Sequence, residues 1–157
     1  MSKKKAANKQ KYIAKNRRAL HNYEVVERFE TGIVLNGTEV KSLRAGKMSF
    51  ADAYASIKDG EVWMHNTHID EYTHANRFNH NPDRPRKLLL HKKEILRLHQ
   101  KVKQEGFTLV PLSFYFKESW VKVELGLCKG KKQHDQRQDM AKRDAKRQIE
   151  RAMKRKY

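Results

Sequence analysis

The sequence contains very little cysteine, glycine or proline. Among its 157 residues there are one cysteine, Cys128, 7 glycines and 3 prolines. A single cysteine excludes an internal disulfide and is typical of proteins from a reducing compartment. No apolar run approaches the roughly 20 residues of a membrane span, and the first residues contain no apolar signal core. We therefore expect a cytoplasmic protein that does not enter a membrane.

The sequence is also poor in acidic residues, and the imbalance lies at its two ends. The formal net charge is +18. Residues 1–23 contain 8 basic and no acidic residues, residues 129–157 contain 12 basic and 4 acidic residues, and residues 24–128 contain 16 basic and 14 acidic residues. Basic arms favour nucleic acid, because neutralising phosphates releases counterions. An anionic membrane is disfavoured, since the arms lack an inserting face of Trp, Phe and Leu.

The residue patterns of an enzyme are missing as well. His65 and His68 stand three apart on a predicted strand and would face opposite sides, with no cysteine or carboxylate cluster to complete a zinc site. There is no glycine-rich phosphate loop, and the acidic residues show no paired-carboxylate spacing. Cys128 has no base indicated beside it. We predict a binding protein that performs no catalysis and needs no metal and no cofactor.

Short β-strands dominate the predicted structure. Strand patterns occur at residues 23–30, 32–35, 53–57, 61–65, 112–117 and 121–127. Asp59-Gly60 marks a tight hairpin. Helices are predicted over Thr38–Ala45, with Thr38 as the N-cap, and over His91–Glu105, which Gly106 ends. Because a small sheet protects its edges most readily by closing, we predict a mostly β fold with short helices: an OB-like closed antiparallel barrel of about six strands.

The C-terminal segment, residues 130–157, has helical spacing but too little apolar surface to fold alone. Asp139 and Arg143 stand four apart in the favourable order. A thin stripe at helical spacing consists of Ala141, Ala145, Ile149 and Ala152. This stripe is too small to offset the entropy of ordering the segment. We predict a basic arm (residues 1–14), the barrel (residues 15–129) and a basic tail (residues 130–157) that is disordered when free and helical against a polyanion.

OB-type barrels hold RNA on a strand face and in loops, with cations on phosphates and aromatic rings stacked on bases. The aromatic candidates are Tyr54, Trp63, Tyr72, Phe78 and Tyr115. Any one of these rings alone is better explained by packing. The cationic candidates are Arg84, Arg86, Lys87 and Lys122, and they are stronger as a group than singly.

Four segments of the sequence resemble one family. They are NRRA at residues 16–19, GIVLNGTEVKSLR at 32–44, RPRKLLL at 84–90 and GKKQHDQR at 130–137. Together, and in this order, they resemble the SsrA-binding proteins (small protein B), the partners of transfer-messenger RNA. The resemblance implies a six-stranded OB-like barrel that binds the tRNA-like domain of this RNA and delivers it to ribosomes stalled without a stop codon. It also implies a tail that enters the empty mRNA channel and decoding centre.

The resemblance further implies which residues contact RNA. Family positions linked to RNA binding match Glu30, Leu90 and Lys122. Further RNA-binding candidates lie in or beside the matching segments: Asn16, Arg17, Arg18, His21, Lys41, Arg44, Arg86 and Lys87. The decoding-centre role falls on Gly130, Lys131, Lys132, His134, Asp135 and Arg137, with Lys142 and Arg143 adding charge. Where the family tail reads Asp-Lys-Arg, this chain has Asp135-Gln136-Arg137, so one cation is missing.

Glu30 needs a physical explanation in such a site, because phosphates repel a carboxylate. It must accept from a base or ribose donor, or orient a neighbouring lysine or arginine. A salt bridge of little energy at the end of a strand is the alternative.

Two other classes of protein share this composition. An integral ribosomal or assembly protein would stay bound through high-salt washing at one copy per particle, whereas a rescue factor is substoichiometric and follows transfer-messenger RNA. An RNA-modifying enzyme would need a cofactor or a metal, for which the sequence offers no site. Our leading hypothesis is a monomeric, non-enzymatic factor of trans-translation whose partners are transfer-messenger RNA and the ribosome, including small-subunit rRNA.

Overall fold

The computed structural model describes residues 11–75, 78–131 and 133–155. In this part of the chain the elements are, in order, β1 (Lys11–Lys15), α1 (Arg17–Asn22), β2 (Tyr23–Ile33), α2 (Gly37–Arg44), β3 (Met48–Lys58), β4 (Glu61–Ile69), β5 (Arg86–Leu89), α3 (Lys92–Glu105), β6 (Thr108–Lys117), β7 (Trp120–Gly130) and α4 (Gln133–Arg155). None of the described helices has both the length and the apolar character that crossing a membrane requires.

Six of the strands close into an antiparallel barrel. Their order around it is β6, β3, β4, β5, β2 and β7, and β7 pairs again with β6. Each of these strands therefore has a neighbour on both sides, and β1 lies outside the ring, paired with β6. The predicted OB-like barrel of about six strands with short helices is confirmed.

Several element boundaries differ from those that the sequence predicts. The strands predicted at residues 23–30 and 32–35 are one strand, β2, because pairing with β7 continues through Glu30, Thr31 and Gly32. Thr38 is not the N-cap of α2. That position belongs to Asn36, whose backbone N–H donates to the Glu39 carboxylate at 2.8 Å, while the Thr38 hydroxyl bonds His80. The Asp59-Gly60 hairpin is confirmed, with positive φ at both residues.

The barrel has two apolar cores. The main core fills the interior, and Leu98 of α3 is completely buried against it. A smaller core lies outside the barrel, where Ala19 of α1 packs on Val110, Leu112 and Cys128. As a result β6 is buried on both faces over most of its length, whereas its alternating sequence predicts a half-buried strand.

Helix α4 lies within the predicted tail and extends away from these cores. Its described side chains are exposed or nearly so, including the apolar residues Met140, Ile149 and Met153. A helix without a buried apolar face gains little from tertiary packing. Disorder of the free tail, and the division into arm, barrel and tail, stay predictions. Residues 1–10 of the arm lie outside the described residues.

Candidate nucleic-acid interface

An open groove of about 680 Å³ lies on the barrel surface across β2, β5, β7 and the start of α3. It is lined by Arg28, Phe29, Glu30, Gly32, Leu89, Leu90, His91, Glu94 and Lys122. The groove thus brings together the three residues that match the family's RNA-binding positions, although they come from separate segments of the chain. Their role in binding RNA stays a prediction.

Gly32 explains why these segments meet. On one side it is in register with Leu89 of β5, and on the other with Lys122 of β7. A Cβ added at Gly32 would lie 3.2 Å from the Leu89 Cβ, a contact closer than most in folded proteins, so Leu89 would have to shift. The absence of a side chain at Gly32 therefore keeps the floor of the groove open.

Leu89 is a groove residue that our sequence analysis missed. Its side chain is 49% exposed, whereas the neighbouring Leu88 is almost completely buried. Alternation along β5 sends adjacent side chains to opposite faces, so only one of these two leucines can enter the core. Alternation over residues 86–89 is therefore the signal in the sequence that would have predicted an exposed Leu89 next to Leu90.

Glu30 lies in the groove with both carboxylate oxygens occupied. The Tyr115 hydroxyl donates to Oε2 at 2.5 Å, and Lys117 Nζ donates to Oε1 at 3.0 Å. The Tyr115 hydrogen bond is the main cause that lowers the pKa of Glu30, followed by the Lys117 bond, while partial burial opposes both. These contacts fit the orientation of a neighbouring cation, and they fit the plain salt bridge equally well, whereas neither carboxylate oxygen is left without a protein donor.

We expect Tyr115→Phe to raise the pKa of Glu30 toward its ordinary value of 4.5, because the charged carboxylate loses its principal donor. NMR titration of the Glu30 side chain measures this shift. Tyr54→Phe is the matched control, because it removes a tyrosine hydroxyl from a ring that stacks on His65, with centroids 5.0 Å apart, and that does not contribute to the pKa shift of Glu30. An unchanged pKa of Glu30 in Tyr115→Phe would show that the Tyr115 hydrogen bond is not the main cause that lowers this pKa.

Lys122 differs from the other charged residues on this face. Arg28 pairs with Glu124 at 2.5 Å, and Lys117 pairs with Glu30. Among the described residues, Lys122 makes neither a side-chain hydrogen bond nor an ion pair, although its charge contributes to lowering the pKa of Glu30. The groove therefore presents one lysine whose ammonium is available to a phosphate.

Arg86 is a prediction that the structure contradicts. Its guanidinium is completely buried, where it pairs with Glu39 and donates to the carbonyls of Thr67 and Pro82, each at 2.9 Å. Arg84 reaches the same Glu39 carboxylate from the partly exposed side. The two arginines of the RPR run therefore hold the loop before β5 against α2 through ion pairs with Glu39. Because the Arg86 guanidinium is buried in this cluster, it cannot reach a phosphate.

Asn16 is likewise structural. It is buried at the start of α1, where its side chain accepts from the Ala19 N–H at 3.2 Å and donates to the Pro111 carbonyl at 2.9 Å. Those two bonds fix α1 on the outside of β6. Burial and these two bonds favour a structural role for the Asn16 side chain over direct contact with RNA, and its role in binding RNA stays a prediction.

The other candidates of the barrel lie outside the groove lining. Arg17 and Arg18 are exposed on α1, where Arg18 lies 3.6 Å from Asp52, and His21 is half-buried. Lys41 and Arg44 are exposed on α2. Lys87 pairs with Glu61 at 3.0 Å. The structure thus separates these cations from the cluster of Glu30, Leu90 and Lys122.

The aromatic candidates also divide by exposure. Phe78 is 89% exposed and Tyr54 is exposed, whereas Trp63 and Tyr72 are half-buried. Tyr115 is buried and cannot serve as a stacking platform, although its hydroxyl holds Glu30. Two exposed rings in the described part of the chain are not among the sequence candidates, those of Tyr12 on β1 and of Trp120 at the start of β7, and Trp120 is the more exposed of the two.

The first residues of the tail contact the barrel through Lys131. Its backbone N–H donates to the Asn22 carbonyl at 3.0 Å, and its Nζ bonds Asp139 at 2.5 Å and the Leu20 carbonyl at 3.4 Å. The ammonium of Lys131 lowers the pKa of Asp139. In this conformation Lys131 joins α4 to the end of α1, so its charge is used within the chain.

The remaining tail predictions fall on the end of β7, on α4 and on residues that the structure does not describe. Gly130 is the last residue of β7, and Arg137, Lys142 and Arg143 are exposed. Lys132 lies outside the described residues, as do the side chains of His134, Asp135 and Gln136. Their decoding-centre role, and the effect of Gln136, stay predictions.

A closed OB-like barrel with an open groove, an available lysine and a basic helix defines a nucleic-acid-binding module. The sequence model of one protein family, described as "SmpB protein", matches residues 13–155. The chain therefore belongs to the SmpB family.

Individual relatives agree with this assignment. The SsrA-binding protein of Carboxydothermus hydrogenoformans is 55% identical over 148 residues, which cover 94% of this chain and 99% of the relative. That of Thermobifida fusca is 54% identical over 158 residues, with 99% of both chains covered. A solved structure described as "tmRNA-SmpB: a journey to the center of the bacterial ribosome" contains a chain 53% identical to this one. It matches with a TM-score of 0.65 over 76% of this chain and 85% of that chain.

Proposed function

We propose that this protein is the RNA-binding factor of trans-translation. It binds the tRNA-like domain of transfer-messenger RNA and delivers it to ribosomes stalled without a stop codon. The observation that carries the proposal is the convergence of Glu30, Leu90 and Lys122 in one groove of a chain that belongs to the SmpB family. The names of its relatives refer to SsrA binding, and the description of the similar solved structure refers to tmRNA and the ribosome.

We assign the two RNA contacts to different parts of the chain. The groove, with Lys122 available and Glu30 holding Lys117, binds transfer-messenger RNA. The tail, whose exposed cations include Arg137, Lys142 and Arg143, enters the empty mRNA channel and decoding centre. This division is supported by the near-neutral charge of residues 24–128 compared with the strongly basic residues 129–157.

The proposal gives the protein a binding role without catalysis, metal or cofactor. Cys128, the only cysteine, is completely buried, and burial raises the pKa of its thiol to about 11. A thiol that is neutral at physiological pH and shielded from solvent is unsuited to nucleophilic attack. We place the protein in the cytoplasm with the ribosomes, acting as a monomer.

We expect Lys122→Glu to weaken binding of the tRNA-like domain by roughly tenfold or more and to reduce the salt dependence of binding. The reversal removes the available cation and puts a second carboxylate beside Glu30. Affinity measured by titration with labelled RNA at several salt concentrations tests this expectation.

Lys103→Glu is the matched control for this change. It makes the same charge reversal at an exposed position in the last turn of α3, about 14 Å along the helix from Glu94 of the groove. Equal losses in the two variants would show that only total charge matters. An unchanged affinity in Lys122→Glu at moderate salt would remove the groove from the binding site.

A further inference from the structure

Trp120 is a large aromatic residue held at a fixed position and left largely in water. Its side chain is 70% exposed. The residue opens β7 directly after the tight turn at Glu118, whose φ is positive, and it pairs with Lys117 as the last rung of the β6–β7 ladder. Among the described residues Trp120 makes no ring contact, cation contact or hydrogen bond. Folding of the barrel therefore does not account for this ring.

The strand register places Trp120 on the same face as the groove. Lys117 is its cross-strand partner, and Tyr115 is the partner of Lys122 in the same ladder. Side chains two residues apart on a strand share a face, so Trp120 and Lys122 point the same way at a spacing of about 7 Å. Lys117 links Trp120 to the groove, because it pairs with Trp120 across the strands and its ammonium bonds the groove residue Glu30 at 3.0 Å.

The charges around Trp120 are mixed, with the exposed Glu118 in the turn before it and the groove residues along the two strands beyond it. The acidic groove residue nearest to this rung, Glu30, is already satisfied by Tyr115 and Lys117. Glu124, further along β7, is paired with Arg28. Lys117, across the strand pair from Trp120, is neutralised by Glu30, so Lys122 is the lysine beside the indole ring that is left for a phosphate. An exposed ring beside an available cation is a combination with which proteins hold unpaired nucleotides, since the ring stacks on the base while the cation contacts a phosphate.

We propose that Trp120 is a base-stacking residue that extends the groove, with an unpaired base of the bound RNA stacked on its indole. The proposal rests on the proposed function, because it takes the RNA of the groove as its ligand. A paired base inside a helix does not present its face to a side chain, so the ligand is a nucleotide outside the regular duplex. Lys122 would contact a phosphate next to the stacked base.

The first test uses the fluorescence of Trp120. The chain has two tryptophans, so Trp63→Phe leaves Trp120 as the only one. We expect its emission to be quenched by the tRNA-like domain of transfer-messenger RNA, which contains unpaired nucleotides, and not by a blunt RNA duplex of equal length. Emission that is unchanged at RNA saturation, or quenched equally by the duplex, would overturn the proposal.

The second test compares three variants in the full-length protein. Trp120→Leu keeps an apolar side chain but loses the π face, and we expect it to weaken binding of the tRNA-like domain by about 5- to 100-fold. Trp120→Phe keeps a smaller ring and should recover most of that loss. Leu96→Ala on α3, which is also exposed, serves as a control for removing surface apolar area.

The outcomes separate this proposal from the proposed function. If the unaltered protein does not bind the tRNA-like domain, the proposed function fails. If it binds and Trp120→Leu binds equally well, the stacking role alone fails. Equal losses in Trp120→Leu and Trp120→Phe would also overturn it, because they would indicate dependence on the size of the side chain. Thermal unfolding of each variant verifies that the barrel is intact.

Discussion

Truncation after Lys131 is expected to abolish peptide tagging on stalled ribosomes while the affinity for the tRNA-like domain stays within about threefold of the intact chain. The cut removes α4, whose described side chains make few contacts with the barrel. It keeps the bond from the Lys131 N–H to the Asn22 carbonyl, so the end of β7 stays fastened. Binding is measured at moderate salt, where screening reduces the nonspecific attraction of the tail.

A full-length variant with a scrambled tail separates position from charge. Its residues 132–157 have the same composition in a different order, so the net charge is unchanged and the helical spacing of Asp139 and Arg143 is lost. We expect this variant to bind the tRNA-like domain normally and to fail in tagging. Loss of RNA binding and tagging to the same extent in the truncated protein would contradict the division between groove and tail.

Glu39→Gln is expected to lower the free energy of unfolding by about 3–5 kcal/mol, because it leaves the buried Arg86 guanidinium without its counter-charge. Both side chains are completely buried. The total stability of a domain of this size is about 5–15 kcal/mol, so the loss is a large fraction of it. Urea unfolding measures the change.

A surface pair of the same chemical type serves as the control. Glu61→Gln removes a partner of Lys87 in an ion pair whose side chains are 43% and 36% exposed, and the expected loss is at most about 1 kcal/mol. Replacing Glu39 and Arg86 together by leucine and methionine should recover part of the stability, because no charge is then buried alone. Equal effects of Glu39→Gln and Glu61→Gln would refute the argument.

The same cluster predicts how stability depends on pH. Burial disfavours the charged Glu39, but hydrogen bonds from Arg84, the Asn36 backbone and Arg86 together lower the pKa of Glu39 below its ordinary value of 4.5. The unfolded chain therefore takes up this proton at a higher pH than the folded protein. The stabilisation from Glu39 is complete above the unfolded pKa and is lost as pH falls through the folded pKa.

Much of the fold could be predicted from local patterns. Alternation, the Asp59-Gly60 turn and the glycine at position 106 indicated the strands and helices, because these signals depend on neighbouring residues. Burial of β6 on both faces was missed, since it depends on α1 folding back over Leu112. Gly126 is the one local sign of this packing in the sequence, because a Cβ at that position would lie 2.8 Å from the Leu112 Cδ1 and would clash with it.

The candidate site was predictable only in part, for a related reason. Glu30, Leu90 and Lys122 were assigned by resemblance, and pairing of β2 with β5 and β7 explains their convergence. Arg86 was misassigned because the RPR run looks like a surface cation cluster. Its counter-charge, Glu39, lies 47 residues earlier in the chain, and no local pattern connects the two. Trp120 was missed because alternation gives the face of a side chain without showing whether anything covers it.

The bonds of Lys131 to the end of α1 fix where the tail begins relative to the barrel. Helix α4 has 23 residues, which at 1.5 Å per residue is a rod of about 34 Å whose origin is set where Lys131 meets the end of α1. Each residue inserted near its start would move every later side chain by 1.5 Å along the axis and by about 100° around it. A one-residue insertion would thus keep charge and helicity and still turn Lys142 and Arg143 to another azimuth.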